Sequence, residues 1–169
     1  VIASANGSVG MEAAIAILRS GGSALDAVEA AAKIVESNTD DHSVGVGGYP
    51  NVLGQVELDA SIMEGATRRA GAVAALCGYP HPISVARAIL EHLPQHVLLV
   101  GDGAARFAAE RGFAAQNLLT PEAEAAWRAR IGDANVSNPA PLSAQASQAR
   151  DPERTVGTVN FIAQDSQGQ

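Results

Sequence analysis

The chain has 169 residues, 47% of them hydrophobic but only 4% aromatic, with a net charge of -7 and a pI near 4.9. That length suits one ordinary domain or half of a larger one. The acidic balance argues against nucleic acid as a partner, and with Lys33 the one lysine there is no basic run for a membrane surface either.

Taken in chain order, Met11, Ala14, Ile15 and Leu18 recur at helical spacing, and Gly21-Gly22 ends that helix because glycine accepts the left-handed conformation. Ser23 then caps a second helix carrying Leu25, Val28, Ala32 and Val35 on one side. Beyond the glycine-rich stretch GVGGYPN (45–51), read as tight turns with close backbone approach, the period changes to two. Val56, Leu58, Ala60 and Ile62 alternate with Glu57, Asp59, Ser61 and Met63, the pattern of a half-buried strand, and 71–76 reads as its hairpin partner.

Pro82 opens a third helix. Residues 96–101 read as a short strand, 104–112 as a short helix, and Thr120-Pro121 starts a helix running to about Ile131. The proline-bearing polar stretch 132–157 has too little apolar content to fold alone and reads as a flexible linker. The last twelve residues read as a strand opening at Thr158, followed by a turn at Asp165–Gly168. This order of elements indicates an α+β fold.

Several polar groupings invite chemistry. Asp41-His42-Ser43 holds the residue types of a hydrolase triad, but neighbouring side chains diverge, so a polar turn is expected. His92 and His96 are spaced for a metal, but Pro94 breaks the helix between them. Cys77 has no partner and reads as a small buried hydrophobe. No apolar stretch approaches a membrane span. No signal segment opens the chain, which favours the cytoplasm, while the missing initial Met leaves a removed leader open.

Thr158 carries the sharper possibility. A threonine freed at its amino side gains its own α-amine as general base, the arrangement of N-terminal nucleophile enzymes. Gly157 before it suits a strained bond.

The segments 21–31, 41–76, 81–113 and 117–127 together resemble, in the same order, the asparaginases of the N-terminal nucleophile type: glycosylasparaginase and the plant-type L-asparaginase or isoaspartyl peptidase. In that family the precursor cuts itself before a Thr that starts a strand, with an Asp seven and a Gly ten residues further on. Thr158 matches through Asp165 and Gly168, whereas Thr155 lies three residues too early. The junction Gly157-Thr158 is similar to that of the plant-type branch. Ser43 resembles a loop serine that braces the junction, and Asn6 is assigned with it.

Three departures stand out. Residues 4–7, SANG, replace the Thr-Trp that usually opens glycosylasparaginase; Asn160 stands where the motif has Gly; and no Asp precedes Thr158. The family's substrate-binding GRxGDSP and oxyanion TGxG segments do not occur in 1–169.

The resemblance implies an αββα four-layer sandwich hydrolase that cleaves the side-chain amide of an asparagine-type small molecule, with no cofactor. It implies division into an α-subunit-like part (1–131), the linker (132–157) and the start of a β-subunit-like part (158–169). Its partners would be the remainder of the same precursor and further copies of the processed unit. A non-catalytic or unprocessed relative serving as a packing half is the alternative.

Overall fold

The computed structural model describes residues 1–131 and 158–169; the linker expected over 132–157, which includes Thr155 and Gly157, lies outside the described residues. The elements are β1 (Ile2–Ala3), a 3-10 helix (Ala5–Gly10), α1 (Met11–Arg19), α2 (Ala24–Glu36), β2 (Glu57–Glu64), β3 (Arg69–Cys77), α3 (Pro82–His92), β4 (Leu98–Val100), α4 (Gly101–Glu110), α5 (Pro121–Ile131) and β5 (Phe161–Ile162). Helices and strands mix as expected for an α+β fold.

Helix α1 stops where predicted, with Gly21 at φ +84°. Ser23 and Asp26 then form a reciprocal capping box: the Asp26 amide donates to Ser23 Oγ at 3.1 Å while the Ser23 amide reaches Asp26 Oδ2 at 3.4 Å. Where the two helices face each other the fully buried residues are alanines, Ala14 against Ala27 and Ala31, while Val35 is buried further along α2. The backbones come very close at its start, where a Cβ on Gly10 would lie 2.4 Å from the Ala31 carbonyl oxygen. Leu25 and Val28, expected to face the core, are only partly buried. Helix α2 is packed by alanines on its α1 side, and that leaves Leu25 and Val28 lining an open groove.

The main sheet has the order β2-β3-β4, with β2 antiparallel and β4 parallel to β3. Helix α3 makes the crossover that a parallel pair requires. The predicted alternation in β2 holds, with Leu58 and Ile62 buried and Glu57, Asp59, Ser61 and Met63 exposed. A register shift lies between Leu58 and Ala60. Opposite it, Ala75 takes φ +50°, and its N–H donates to Asp59 Oδ1 at 2.8 Å. After this irregularity Leu76 points inward, and Cys77, paired with Glu57, is exposed; the expectation of a buried cysteine fails because the bulge resets the alternation.

Helices α3 and α4 cover one face of this sheet, around Val73, Leu76, Val85, Ile89, Ala104 and Ala108. The opposite face carries Ala70, Ala72 and Ala74 of β3, beside the exposed Met63, Leu98 and Val100. A second, two-stranded sheet pairs the first and last described segments, Ile2 with Ile162 and Ala3 with Phe161. Neither β1 nor the 3-10 helix was anticipated, because both are too short to show a period. The strand expected to open at Thr158 begins regular pairing only at Phe161. Its partner is short, and past Ala3 the chain turns into the 3-10 helix.

Gly71 sits under α3, where a Cβ would fall 2.1 Å from the Ala86 carbonyl oxygen and 2.6 Å from the Leu90 nitrogen. Those atoms are helix backbone and cannot rotate away. Gly71→Ala should therefore destabilise the protein by about 1–3 kcal/mol or more, measured by urea unfolding.

Candidate active site

Thr158 lies on the wall of a cavity of about 940 Å3. One side of the cavity is β2 along its whole length, from Glu57 to Glu64; the other is the terminal segment from Thr158 to Ala163. Leu25, Val28 and Ala32 of α2 line it from below, and Ser43, Val44 and Gly45 close one end. Among the described residues β2 pairs only with β3, and β5 only with β1, so the cavity lies between two strand edges.

The terminal segment is held by side chains where the ladder ends. The Ser4 amide donates to the Asn160 carbonyl at 3.1 Å, and the Asn160 amide donates to Ser4 Oγ at 3.0 Å. From Ser4 the polar contacts continue inward. Ser4 Oγ donates to Asn6 Oδ1 at 2.7 Å, and Asn6 Nδ2 donates to Asp41 Oδ2 at 3.2 Å. The other oxygen of Asp41 accepts both the amide and the hydroxyl of Ser43. The residues expected to support the junction, Asn6 and Ser43, thus meet on one carboxylate and connect through Ser4 to the residue two after Thr158. Gly157 lies outside the described residues.

Sequence reading passed over Ser4 and the link from Asn6 to Asp41. Asp41 was weighed only as part of a triad with His42, and that arrangement is not formed. His42 Nδ1 lies 2.7 Å from the Gly47 carbonyl, which can only accept, and its ring stands against Tyr49 at 5.2 Å. The loop it belongs to is pressed onto α2, since a Cβ at Gly45 (φ +67°) would lie 1.9 Å from the Glu36 carbonyl oxygen. His92 and His96 do not converge: α3 ends at His92, which meets Arg111 Nη2 at 2.8 Å. Among the described residues no group of three or more His, Cys, Asp or Glu is placed to hold a metal ion, and no helix is long and apolar enough to cross a membrane.

Two carboxylates on either side of this loop are tuned in opposite directions. Partial burial works to raise the Asp41 carboxyl, but the Ser43 hydroxyl and amide and the Asn6 amide outweigh it, so the group is held below the usual carboxylate range. Glu36 is 3% exposed, and burial pushes it up despite hydrogen bonds from His81 and the Ile83 amide. A lowered folded-state value makes the Asp41 contribution complete above the unfolded carboxylate range and lost as pH falls through the folded value. Glu36 has the reverse sign: its shift favours the fold at acid pH, and that advantage is lost as pH rises through its folded value. Asp41→Asn should cost about 1–2 kcal/mol at neutral pH, with the difference from wild type closing as the medium is acidified. Thermal unfolding across acid pH checks this; a constant difference at every pH would show that charge on Asp41 does not matter.

An asparaginase family model (Asparaginase_2) matches residues 8–169. The N(4)-(beta-N-acetylglucosaminyl)-L-asparaginase of Elizabethkingia miricola is 49% identical over 112 residues, which cover 66% of this chain and 32% of that protein. The plant-type L-asparaginase of Pyrococcus horikoshii is 49% identical over 107 residues, 63% of this chain and 34% of the relative. That of Pyrococcus furiosus is 47% identical over 106 residues, again 63% and 34%. The matched part thus spans about a third of the length of these relatives. With the family match running through the Asp41–Gly45 loop, the β2-β3-β4 sheet and the cavity wall that carries Thr158, this chain belongs to the asparaginase family.

Proposed function

We propose that this chain is the first part of an amidohydrolase acting on the side-chain amide of asparagine-type small molecules, with Thr158 as nucleophile. The observation that carries the reading is the place of Thr158. It lies on the wall of a large cavity that Ser43 also lines, in a segment pinned by the Asn160–Ser4 pair. The names of the relatives support the substrate class.

The chemistry follows from a threonine that ends up amino-terminal. Thr158 Oγ first attacks the Gly157 carbonyl; the C–N bond breaks, the amine takes up a proton, and the acyl group is left as an ester on oxygen. Water opens this ester more readily than an amide, leaving a Gly157 carboxylate and returning the hydroxyl of Thr158 beside its already free α-amine. That amine then accepts the hydroxyl proton as Oγ attacks the substrate's side-chain carbonyl. Ammonia or an amine leaves, and a second water releases aspartate from the ester. In this reading residues 1–131 form the α-subunit-like part, 132–157 the linker and 158–169 the start of the β-subunit-like part.

The four-layer αββα architecture belongs to the same proposal. Helices cover one face of the β2-β3-β4 sheet, and the other presents alanines flanked by exposed Met63, Leu98 and Val100, a surface suited to a second sheet at about 10 Å. The remainder of the precursor is the proposed occupant of that face. Processed units are proposed to associate with further copies of themselves.

In the full-length protein the Gly157-Thr158 bond should break without a protease. Thr158→Ala removes the attacking oxygen and should leave the precursor uncut and without amidase activity. Thr158→Ser should process, more slowly; Thr155→Ala should process at close to the wild-type rate. Mass spectrometry of the new N-terminus distinguishes these outcomes, and a fragment beginning at Thr155 would place the nucleophile elsewhere.

A further inference from the structure

The β1–β5 ladder consists of two residue pairs, Ile2 with Ile162 and Ala3 with Phe161. So short a ladder specifies its own register weakly, and a slip of one residue would turn Phe161 away from its apolar seat. Something outside the ladder must hold β5 along its axis. On the Thr158 side the Asn160–Ser4 bonds serve. At the other end stands the Asp165–Gln169 turn, in which the Gly168 amide donates to the Asp165 carbonyl at 3.1 Å and Gly168 takes φ +80°.

The Asp165 side chain does more than close this turn. Its Oδ1 accepts the amides of Gln167 at 2.9 Å and Gln169 at 3.0 Å, while Oδ2 reaches across the chain to the Ala24 amide at 3.2 Å. Ala24 is the first residue of α2, where backbone N–H groups have no partner within the helix and the helix dipole favours a carboxylate. That helix end is itself immobilised. The Asp26 carboxylate, used in the cap, is bound by Arg87 of α3 at 2.7 Å, and the same guanidinium holds Glu29 at 2.7 Å.

We propose that Asp165 is a positioning residue for Thr158: by fastening the turn after β5 to the N-terminus of α2, it sets the register in which the junction segment lies against the cavity. This rests on the reading of Thr158 as nucleophile. Hydrogen bonding from the Gln169 amide, against a desolvation cost, and then from Ala24 and Gln167, keeps the Asp165 carboxyl below its ordinary range and so ionised at neutral pH. Thr158 gains no contact with Asp165 from this; it gains a fixed place, and small displacements of a reacting group are costly in rate.

The experiment uses the full-length protein. Asp165→Ala should slow appearance of the Thr158 N-terminus by about tenfold or more and, once processed, lower kcat with KM within about twofold. Asp165→Asn keeps an acceptor oxygen and should fall between, which preserves the test if the alanine variant does not fold. Ile89→Val, a trim of the distant α3 core, should lower Tm yet cut at the wild-type rate. In the uncut Thr158→Ala precursor, adding Asp165→Ala should speed amide exchange at Ala24 about tenfold or more, a readout independent of the nucleophile. Unchanged exchange at Ala24 would overturn the tether. Faster exchange with wild-type cutting in Asp165→Asn and Asp165→Ala, or equal slowing by Ile89→Val, would overturn the positioning role. Normal cutting in Thr158→Ala would instead refute the nucleophile reading, with the exchange result standing apart from it.

Discussion

Where Thr158 lies is decided by the seating of Phe161. Its ring is shared between two apolar clusters, one formed by α1 and α2 through Ala14, Ala27 and Ala31, the other by α2, β2 and α3 through Ala32, Ile62, Ile83 and Leu90. Space for the ring is made at the 3-10 helix, where a Cβ on Gly7 would come within 3.0 Å of it. The chain has three phenylalanines, and many of the buried residues around this one are alanines. In such a core one ring supplies a large share of the buried apolar area on the junction side. It therefore fixes how far β5 stands from β2, and with it the width of the cavity.

Close backbone approach does the rest. Gly10 lies against Ala31, Gly45 against the Glu36 carbonyl and Gly71 against Ala86 and Leu90. The low aromatic content noted at the outset is the compositional form of this packing, because small residues let helices and strands touch through their main chains. The polar side of the site depends on it. The loop carrying Asp41 and Ser43 reaches Asn6 from a position set where Gly45 meets the end of α2, and the Val46 amide donates to the Glu36 carbonyl at 2.8 Å. A buried Glu36 whose carboxyl is pushed up and a half-buried Asp41 whose carboxyl is held down then flank one loop, each matched to its own donors.

Much of the fold was legible. Ser23 announced the second helix and Gly21 the end of the first, because caps are local chemistry. The period-two run in β2 and the proline at the start of α3 were equally local, and their ends came within a few residues of the reading. At the site, the spacing of Thr158, Asp165 and Gly168 singled out one threonine, and Asn6 and Ser43 proved to share a carboxylate. Asp41 was read as part of a polar turn without its link to Asn6, and Ser4 went unnoticed within SANG. Both act through partners 35 and 156 residues away in sequence, which no local pattern records.

The amino-acid sequence by itself determined the helices with their caps, the half-buried β2–β3 hairpin, the turns that require glycine and the family to which the chain belongs. Each of these rests on spacing of a few residues or on a run of matching segments. The pairing of the first strand with the last, the exposed Cys77, the groove between two sheet edges and the bond from Asp165 to the start of α2 were decided only in the tertiary structure. A two-residue strand has no period, a bulge shifts alternation without changing composition, and a carboxylate finds a helix end 141 residues away only after both have packed.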